Sequence, residues 1–507
     1  MSRSLRVGYP AAATPMHQGF LATLPSYFSL SSRLGVIALA AILLILPFGT
    51  FAEISPSLIV WMTALFLFLL AFHGFKLTKL KGENPWLAPT SLLLAFYFFK
   101  YGWGTLLVYY WGQFPWQAFP EIGRAFEAYG IHDNLPISCQ VLLLGGLGLY
   151  LGAGFSARRI SEWLPSLQWQ VDYSKFNQNL TLYIFFALSL FVLLQWYLPQ
   201  AIRYIALLFG WIVWVLMVIV SYRFCLSTQA DRLKWLILLT VMYTSLVPVF
   251  LVTGMREHVF MPVLLIVLGY VLARGRLPWK FIILASALLF FLISPWLSVY
   301  KISKSSVDLD KPFFERLEDT NANLSLVSTR GRLELALYGL AARAAGAGAA
   351  FVPVYASYYP DVYPFEFGQT FLVELQTLIP RIVWPEKPNI SIELNRYTSA
   401  VGMLREYDEY DESVTSATFD AISEYYLNFG TAGVFFLSML QGYYLRVLYE
   451  WLVRRSIYEI GGSVYLVLFF SNHDFFGVAQ SFVSHTRQLP VWLFILYLMS
   501  RRSNRYE

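Results

Sequence analysis

The chain has 507 residues, of which 57% are hydrophobic and 18% aromatic, whereas only 13% are charged. An ordinary soluble domain carries about 25% charged residues, so this composition excludes a soluble globular protein and favours a membrane protein. The formal charge of +6 is distributed as short basic clusters between apolar segments. Because no basic stripe suited to a nucleic-acid backbone is present, we expect no nucleic-acid partner.

Apolar segments recur along the chain from residue 34 to residue 500. A bilayer core of about 30 Å needs about 20 helical residues to cross, and most of the segments approach that length. The sequence therefore predicts an all-α polytopic membrane protein with about twelve transmembrane helices. The predicted segments are 34–52, 56–75, 90–112, 138–155, 180–198, 201–222, 234–252, 258–273, 279–298, 430–449, 461–483 and 488–500.

The basic residues predict the orientation of these helices. Seven clusters of three bases, which together contain 21 of the 37 Lys and Arg residues, fall on alternate loops and therefore on one face. The positive-inside bias places that face in the cytoplasm, with both termini. The predicted organisation is a cytoplasmic N-terminal tail (1–33), helices 1–9 (34–298), a long periplasmic loop (299–429), and helices 10–12 with a short cytoplasmic tail (430–507).

The long extracytoplasmic loop differs in charge from the rest of the chain. Residues 301–430 hold 18 of the 31 acidic residues and 11 of the 37 basic residues. The loop is too long for a passive connector. We predict an amphipathic helix starting at Arg330, an irregular stretch over 352–368, and a short apolar helix over 371–380. We expect this loop to pack on the membrane surface as a cap over a cavity.

Three ionisable residues fall inside predicted transmembrane segments. Lys100 lies about ten residues from either end of its segment, and His473 and Asp474 lie midway in theirs. Ionisable groups at membrane depth are costly and are functional candidates by default. We therefore include Lys100 and His473 among the candidate substrate-binding residues. The alternative is that these polar groups only fix the packing of the helices.

A second group of polar residues precedes the tenth predicted helix. Asp420, Glu424 and Asn428 are spaced i, i+4, i+8, a spacing that places them on one helix face. A carboxylate at this position can take a proton from a sugar hydroxyl, so Glu424 is the candidate catalytic base and Asp420 and Asn428 are candidate binding residues. The alternative is a solvated helix entrance.

Basic residues of the predicted outer face form the third group. The guanidinium group binds diphosphate bidentately, and converging arginines would stabilise a diphosphate as a leaving group. The alternative for each is an interfacial anchor or an ion-pair partner. Trp384 is a candidate for stacking on a sugar, or an aromatic of the membrane interface. The basic candidates are Arg256 and Arg381 as catalytic residues, and Arg330, Arg332 and Lys387 as substrate-binding residues.

Three sequence motifs carry a resemblance to a known family. They are TGMREH at 253–258, IPRIVWPEKP at 379–388, and EYYLNFGTAG at 424–433, which has the pattern E-x-Y-x-N-F-G-x-x-G. In this order around a long extracytoplasmic loop they resemble the bacterial O-antigen and exopolysaccharide repeat-unit polymerases of the Wzy type. The motifs cover about residues 240–450. The loop arginines lack the R-x10-G spacing of some members, so no specific arginine role is transferred.

The resemblance implies a metal-independent, cofactor-free glycosyltransferase of the bacterial plasma membrane. Such an enzyme joins undecaprenyl-diphosphate-linked oligosaccharide repeat units into O-antigen or exopolysaccharide chains on the periplasmic side. Its implied partners are the lipid-linked glycan, the bilayer and a chain-length regulator of the co-polymerase type. Two alternatives remain open, namely a flippase or transporter of lipid-linked sugars, and an O-antigen ligase. The absence of a visible internal repeat disfavours the transporter.

Overall fold

The computed structural model of the chain describes most of the regions that carry the predicted helices. Within the described residues the chain is helical, apart from turns and one pair of two-residue strands. The described residues are 55–111, 134–164, 170–171, 173–197, 203–253, 256–293, 295–296, 299, 313–329, 331–333, 351–379, 383–384, 386–387, 397, 420–456, 458–471 and 477–501.

The helices before the long loop follow the apolar segments closely. Two of them continue into a π-helical turn, Phe98–Gly102 after α2 and Leu289–Ile293 after α10. The helices are α1 (Pro56–Leu80), α2 (Pro89–Tyr97), α3 (Trp103–Trp111), α4 (Leu135–Gly154), α5 (Arg158–Trp163), α6 (Tyr173–Tyr197), α7 (Arg203–Leu226), α8 (Gln229–Thr253), α9 (Arg256–Arg274) and α10 (Trp279–Leu288).

The remaining elements belong to the long loop and to the C-terminal part. They are α11 (Phe313–Leu326), α12 (Phe351–Tyr358), α13 (Gln369–Gln376), α14 (Ala421–Tyr449), α15 (Tyr458–Ser471) and α16 (Val478–Met499). A π-helical turn, Glu450–Arg454, follows α14. Strand β1 (Gln170–Val171) pairs antiparallel with β2 (Ser500–Arg501), which attaches the chain before α6 to the end of α16.

Three stretches of the described helices are long and apolar enough to cross a membrane. They are α1, the α2–α3 unit over Pro89–Tyr110, and α4. α1 begins at Pro56, whose missing N–H costs nothing in the first turn, and the Ser55 hydroxyl accepts a hydrogen bond from the backbone N–H of Leu58. These three helices support the prediction that the chain is a membrane protein. The predicted segment 34–52 lies outside the described residues.

Two sequence predictions are wrong. The segment predicted over 461–483 is interrupted, because α15 ends at Ser471 and α16 begins at Val478 and continues over the predicted segment 488–500. Part of the stretch predicted to be irregular forms the helix α12. The start predicted for the tenth segment, residue 430, coincides with a break of α14 at Gly430, and the helix that leads into this segment begins at Ala421. Of the amphipathic helix predicted from Arg330, the structure describes residues 331–333, which are helical.

α4 and α14 pack along each other through small residues. A Cβ added at Gly442 would lie 2.6 Å from the carbonyl oxygen of Leu149, and one added at Gly148 would overlap the carbonyl oxygen of Phe435. Gly152 is equally close to Met439. Glycines at these positions allow the two backbones to approach, as in many membrane helix pairs. We call this contact the glycine seam.

The described helices of the long loop pack against the long helices. α12 packs on α4 and α14 and buries Val352, Val354 and Tyr355. α13 packs on α14 and α16. The expectation of a cap lying on a surface is therefore wrong for α12, because its apolar side chains insert between other helices. α13 instead buries the polar residues Thr370 and Glu374 and leaves Leu372 exposed.

Charged residues meet at the end of α14 opposite to Glu424. The Arg446 guanidinium donates to Glu83 at 2.7 Å and to Glu450 at 2.7 Å, and these side chains are nearly fully buried. Arg223 pairs with Glu459. These contacts and the β1–β2 pair join several of the loops that carry basic clusters. Those loops therefore lie together at one end of the helices.

Candidate functional site

A buried polar cluster lies where the long loop meets the N-terminal part of α14. Glu424 is 2% exposed and Asn428 is fully buried. Both side chains lie on one face of α14, as their spacing predicts. Asp420 is buried as well, but it is the N-cap of α14, and its carboxylate accepts a hydrogen bond of 2.8 Å from the Ser423 backbone N–H. The alternative of a solvated helix entrance is therefore wrong.

Thr370 on α13 connects the two residues of this face. Its hydroxyl donates to Oε1 of Glu424 at 2.9 Å and accepts from Nδ2 of Asn428 at 2.7 Å. The same Nδ2 donates to the backbone carbonyl of Glu424 at 2.8 Å. The amide oxygen of Asn428 accepts from the backbone N–H of Gly368 at 2.8 Å. These bonds hold the Glu424 carboxylate against α13.

The turn that leads into α13 is fixed on the backbone of α14. The N–H of Glu366 donates to the carbonyl of Leu427 at 3.1 Å, and that of Phe367 to the carbonyl of Asn428 at 3.0 Å. Gly368 follows with a φ of 91°, a conformation that glycine adopts without a steric penalty. The site side chains of α13 are thus placed by contacts that are remote in sequence.

Two cations hold the other end of α13. The Lys387 ammonium donates to the carbonyls of Thr377 at 3.1 Å and Ile379 at 2.9 Å, and the Arg487 guanidinium also donates to Thr377. Cations at a helix C-terminus satisfy free carbonyls and complement the helix dipole. Lys387 therefore positions α13 at a distance from the buried carboxylate.

The N-terminus of α16 completes the cluster. A Cβ added at Gly477 would overlap Oε2 of Glu424, so only glycine leaves room for the carboxylate. The Tyr425 hydroxyl accepts a 2.7 Å hydrogen bond from the Val478 backbone N–H and donates to Gln441 at 3.1 Å. Helix N-termini favour negative charge, which suits a carboxylate at this place.

A second carboxyl group, Glu374, lies beside Glu424. Glu374 is 3% exposed and follows Thr370 by four residues, on the same face of α13. Burial raises the pKa of Glu374 well above its usual value, and the charge of Glu424 raises it further, whereas a hydrogen bond with the Gln480 backbone lowers it. The cluster therefore contains two neighbouring carboxyl groups.

Lys100 lies near Asp420, at the start of α14. It is 9% exposed and lies in the π-helical turn Phe98–Gly102, a backbone irregularity often found at functional sites. Burial raises the pKa of Asp420, and the positive charge of Lys100 is the largest effect that opposes it. The charges of Lys100 and Asp420 therefore stabilise each other.

A break in α14 separates the cluster from the rest of the helix. Gly430 has φ 64° and ψ −158°, outside the helical region. Ile422, before the break, contacts Gly145, which lies in the middle of α4. Arg446 lies sixteen residues after Gly430, or about 24 Å along a helix. The cluster is thus level with the interior of the candidate membrane spans and not with their outer ends.

One family match bears on this chain. The model described as "Domain of unknown function (DUF8712)" matches residues 40–466. The chain belongs to the DUF8712 family. No curated protein and no solved structure matches it significantly. The DUF8712 match includes α13 and the whole of α14, and it ends before α16.

The other predicted site residues of this DUF8712 protein are only partly brought together. The guanidinium of Arg332 is exposed and donates to the carbonyls of Leu324 at 3.0 Å and Val327 at 3.2 Å, so it caps the end of α11. Trp384 is half-buried. Arg330, Arg381 and His473 lie outside the described residues, as does the side chain of Arg256, the first residue of α9.

Sequence reasoning missed Thr370 and Glu374 in the DUF8712 chain. The sequence predicts a short apolar helix over 371–380 and assigns no site residue to it. The signal that was available is the i, i+4 spacing of a threonine and a glutamate on an otherwise apolar helix. Such polar residues, when they face other helices, need partners, and the structure supplies Glu424 and Asn428.

Proposed function

We propose that this protein is a lipid-linked oligosaccharide glycosyltransferase, and specifically a repeat-unit polymerase. The observation that carries the proposal is the buried Glu424 carboxylate, fixed by Thr370 at 2.9 Å within the E-x-Y-x-N-F-G-x-x-G motif. A carboxylate that is oriented by a hydroxyl and shielded from water is suited to general base catalysis. The resemblance to Wzy-type polymerases supplies the substrate class, an undecaprenyl-diphosphate-linked glycan.

In the proposed reaction Glu424 takes the proton of a sugar hydroxyl on the acceptor repeat unit. The hydroxyl oxygen attacks the anomeric carbon of the donor glycan. The bond from that carbon to the diphosphate oxygen breaks, and undecaprenyl diphosphate leaves with the electron pair. Arg256, Arg330 and Arg381 are proposed to bind the diphosphate. Because Glu424 is buried under α13, the reaction requires α13 to move when the acceptor enters.

The proposed topology has about twelve transmembrane helices, with both termini in the cytoplasm of a bacterium and the long loop in the periplasm. Contacts between separate basic clusters support one common face. Lys81 donates to the carbonyl of Gly154 at 3.4 Å, Arg274 donates to the carbonyl of Cys225 at 2.6 Å, and Arg446 pairs with Glu83. The positive-inside bias then assigns this face to the cytoplasm. A chain-length regulator remains a proposed partner.

The polymerase proposal is tested by glycan ladders from a deletion strain. The strain is complemented with wild type, Glu424→Gln, Arg381→Ala, or Glu318→Gln as a control, at matched protein levels. Glu318 is exposed on α11, so its substitution leaves the cluster unchanged. We expect single repeat units in the deletion strain and long chains with wild type and Glu318→Gln. Loss of long chains with Glu424→Gln would place this carboxylate in the reaction.

A second candidate function is a flippase or transporter of lipid-linked sugars. The specific observation in its favour is the buried Lys100 near Asp420, because ionisable groups at membrane depth often line transport pathways. A flippase predicts that lipid-linked units accumulate on the cytoplasmic side of the deletion strain. An O-antigen ligase predicts that long chains form but stay on the lipid carrier. Either result would overturn the polymerase proposal.

A further inference from the structure

The carboxyl groups of Glu374 and Glu424 form a pair that is enclosed by three helices. Glu374 lies on α13, Glu424 on α14, and both contact the first residues of α16. Neither side chain exposes more than 3% of its surface. Two neighbouring carboxyl groups in a buried site ionise together only at a large cost in free energy, because burial and like charge both disfavour the second charge.

The hydrogen bonds around the pair distinguish its two members. Glu424 accepts a hydrogen bond from the Thr370 hydroxyl at Oε1, so this oxygen has a donor. Glu374 has a hydrogen bond with the backbone of Gln480, while its Oε2 is buried and has no hydrogen-bond partner among the described residues. An unpartnered buried oxygen beside a carboxylate is the expected place for a proton.

The surroundings of the pair favour one negative charge and not two. Among the described residues, the titratable groups that act on it are Asp420 and Tyr425 on α14. Lys100 acts through Asp420. α16 contributes backbone N–H groups of its N-terminus, which stabilise a single negative charge. No cation among the described residues lies between Glu374 and Glu424 to compensate a second charge.

We propose that Glu374 and Glu424 share one proton and act together as the base of the site. This inference rests on the proposed glycosyl transfer. In the resting pair Glu374 holds the proton and donates it toward the Glu424 carboxylate. When the acceptor hydroxyl loses its proton to Glu424, its oxygen bonds to the anomeric carbon and the diphosphate leaves with the electron pair. The pair is then doubly protonated, and loss of one proton to solvent restores it.

The pair is tested by infrared spectroscopy of the purified full-length protein during a pH titration. A protonated carboxylic acid in an apolar site gives a carbonyl band that is separate from the bands of carboxylates and amides. We expect this band at neutral pH in wild type and in the Glu318→Gln control, and a smaller band in Glu374→Gln, because the proton on Glu374 is gone. In Glu424→Gln the band should titrate at least about one pH unit lower, because the neighbouring charge is gone.

The outcomes separate this inference from the proposed function. Absence of the band in wild type at neutral pH, or an undiminished band in a folded Glu374→Gln variant, would overturn the shared proton even if Glu424→Gln abolishes polymerisation. The band could also behave as expected while the Glu424→Gln variant makes normal chains. That result would overturn the catalytic role of Glu424 and leave the shared proton of Glu374 and Glu424 standing. The wild-type titration decides the first point even if a variant does not fold.

Discussion

Replacing Asn428 by alanine is expected to detach α13 from α14. The Asn428 side chain is fully buried and takes part in three hydrogen bonds, with Thr370, with the Glu424 carbonyl and with the Gly368 backbone N–H. Alanine can make none of them. The substitution therefore removes the amide that links the loop helix α13 to the helix that carries Glu424, while the helical backbone of α14 is retained.

The magnitude follows from counting these bonds. A buried hydrogen bond contributes about 1 kcal/mol net, and a buried group left without a partner costs about 1–3 kcal/mol. Three bonds lost in one place give an expected loss of about 3 kcal/mol in the free energy of unfolding. This is well above the change of about 0.5 kcal/mol that surface substitutions cause.

Unfolding by a denaturing detergent, followed by circular dichroism, measures this loss on the purified protein. The matched control is Asn323→Ala, because Asn323 is exposed on α11 and is expected to change the free energy of unfolding by no more than about 0.5 kcal/mol. If Asn428→Ala is as stable as Asn323→Ala, the contact between α13 and α14 does not hold the loop, and the description of the site is wrong.

Three further predictions concern stability and use the same measurement. In Gly430→Ala the positive φ should lower the free energy of unfolding by about 1–3 kcal/mol, and overlap of the new Cβ with the Phe365 ring should lower it further. Gly82 also has a positive φ, 69°, but open space for a Cβ, so Gly82→Ala should show only the loss that is due to φ. Equal losses would contradict the described packing. Arg446→Leu removes the buried cation from Glu83 and Glu450 and leaves them the half-exposed Arg454 as a partner, so it should cost about 3 kcal/mol, the lower end for a broken buried pair. Arg158→Leu in an exposed pair should cost less than about 1 kcal/mol, and an equally small loss at Arg446 would contradict the buried network. The raised pKa of Glu374 means that the folded state holds this proton more tightly than the unfolded state, so the free energy of unfolding should fall as pH rises above the usual pKa of a glutamate toward the raised pKa of Glu374. Glu374→Gln should flatten that dependence, and an equally steep dependence in the variant would refute the reasoning.

The sequence predicts the positions of most described helices because apolar runs of helical length report directly on burial. It fails where burial includes polar residues. The burial of Glu424 and Asn428 is not predicted, since both are polar and their partners are 54 to 60 residues away. The interruption before Val478 is not predicted either, because hydropathy averaged over the segment does not locate a helix end, although Asn472, His473 and Asp474 lie in it.

The candidate site was predicted only along a single element. The i, i+4 spacing of Glu424 and Asn428 gives their shared face correctly, since helix geometry is local. The partners Thr370 and Glu374 depend on how α13 docks, which spacing does not report. In the same way the charge of Lys387 makes it a candidate for substrate binding in the sequence. In the structure its ammonium binds carbonyl groups at the end of α13, a contact that the sequence does not report.

The glycine seam between α4 and α14 has a consequence for how the protein behaves outside its bilayer. Close backbone contact through Gly148, Gly152 and Gly442 gains its stability from van der Waals attraction between protein atoms, and that attraction does not depend on the surrounding lipid. Mild detergents that replace lipid at the perimeter should therefore leave this helix pair assembled. Cross-links or spectroscopic labels placed along the pair would then report an internal reference distance against which movements of α13 are measured.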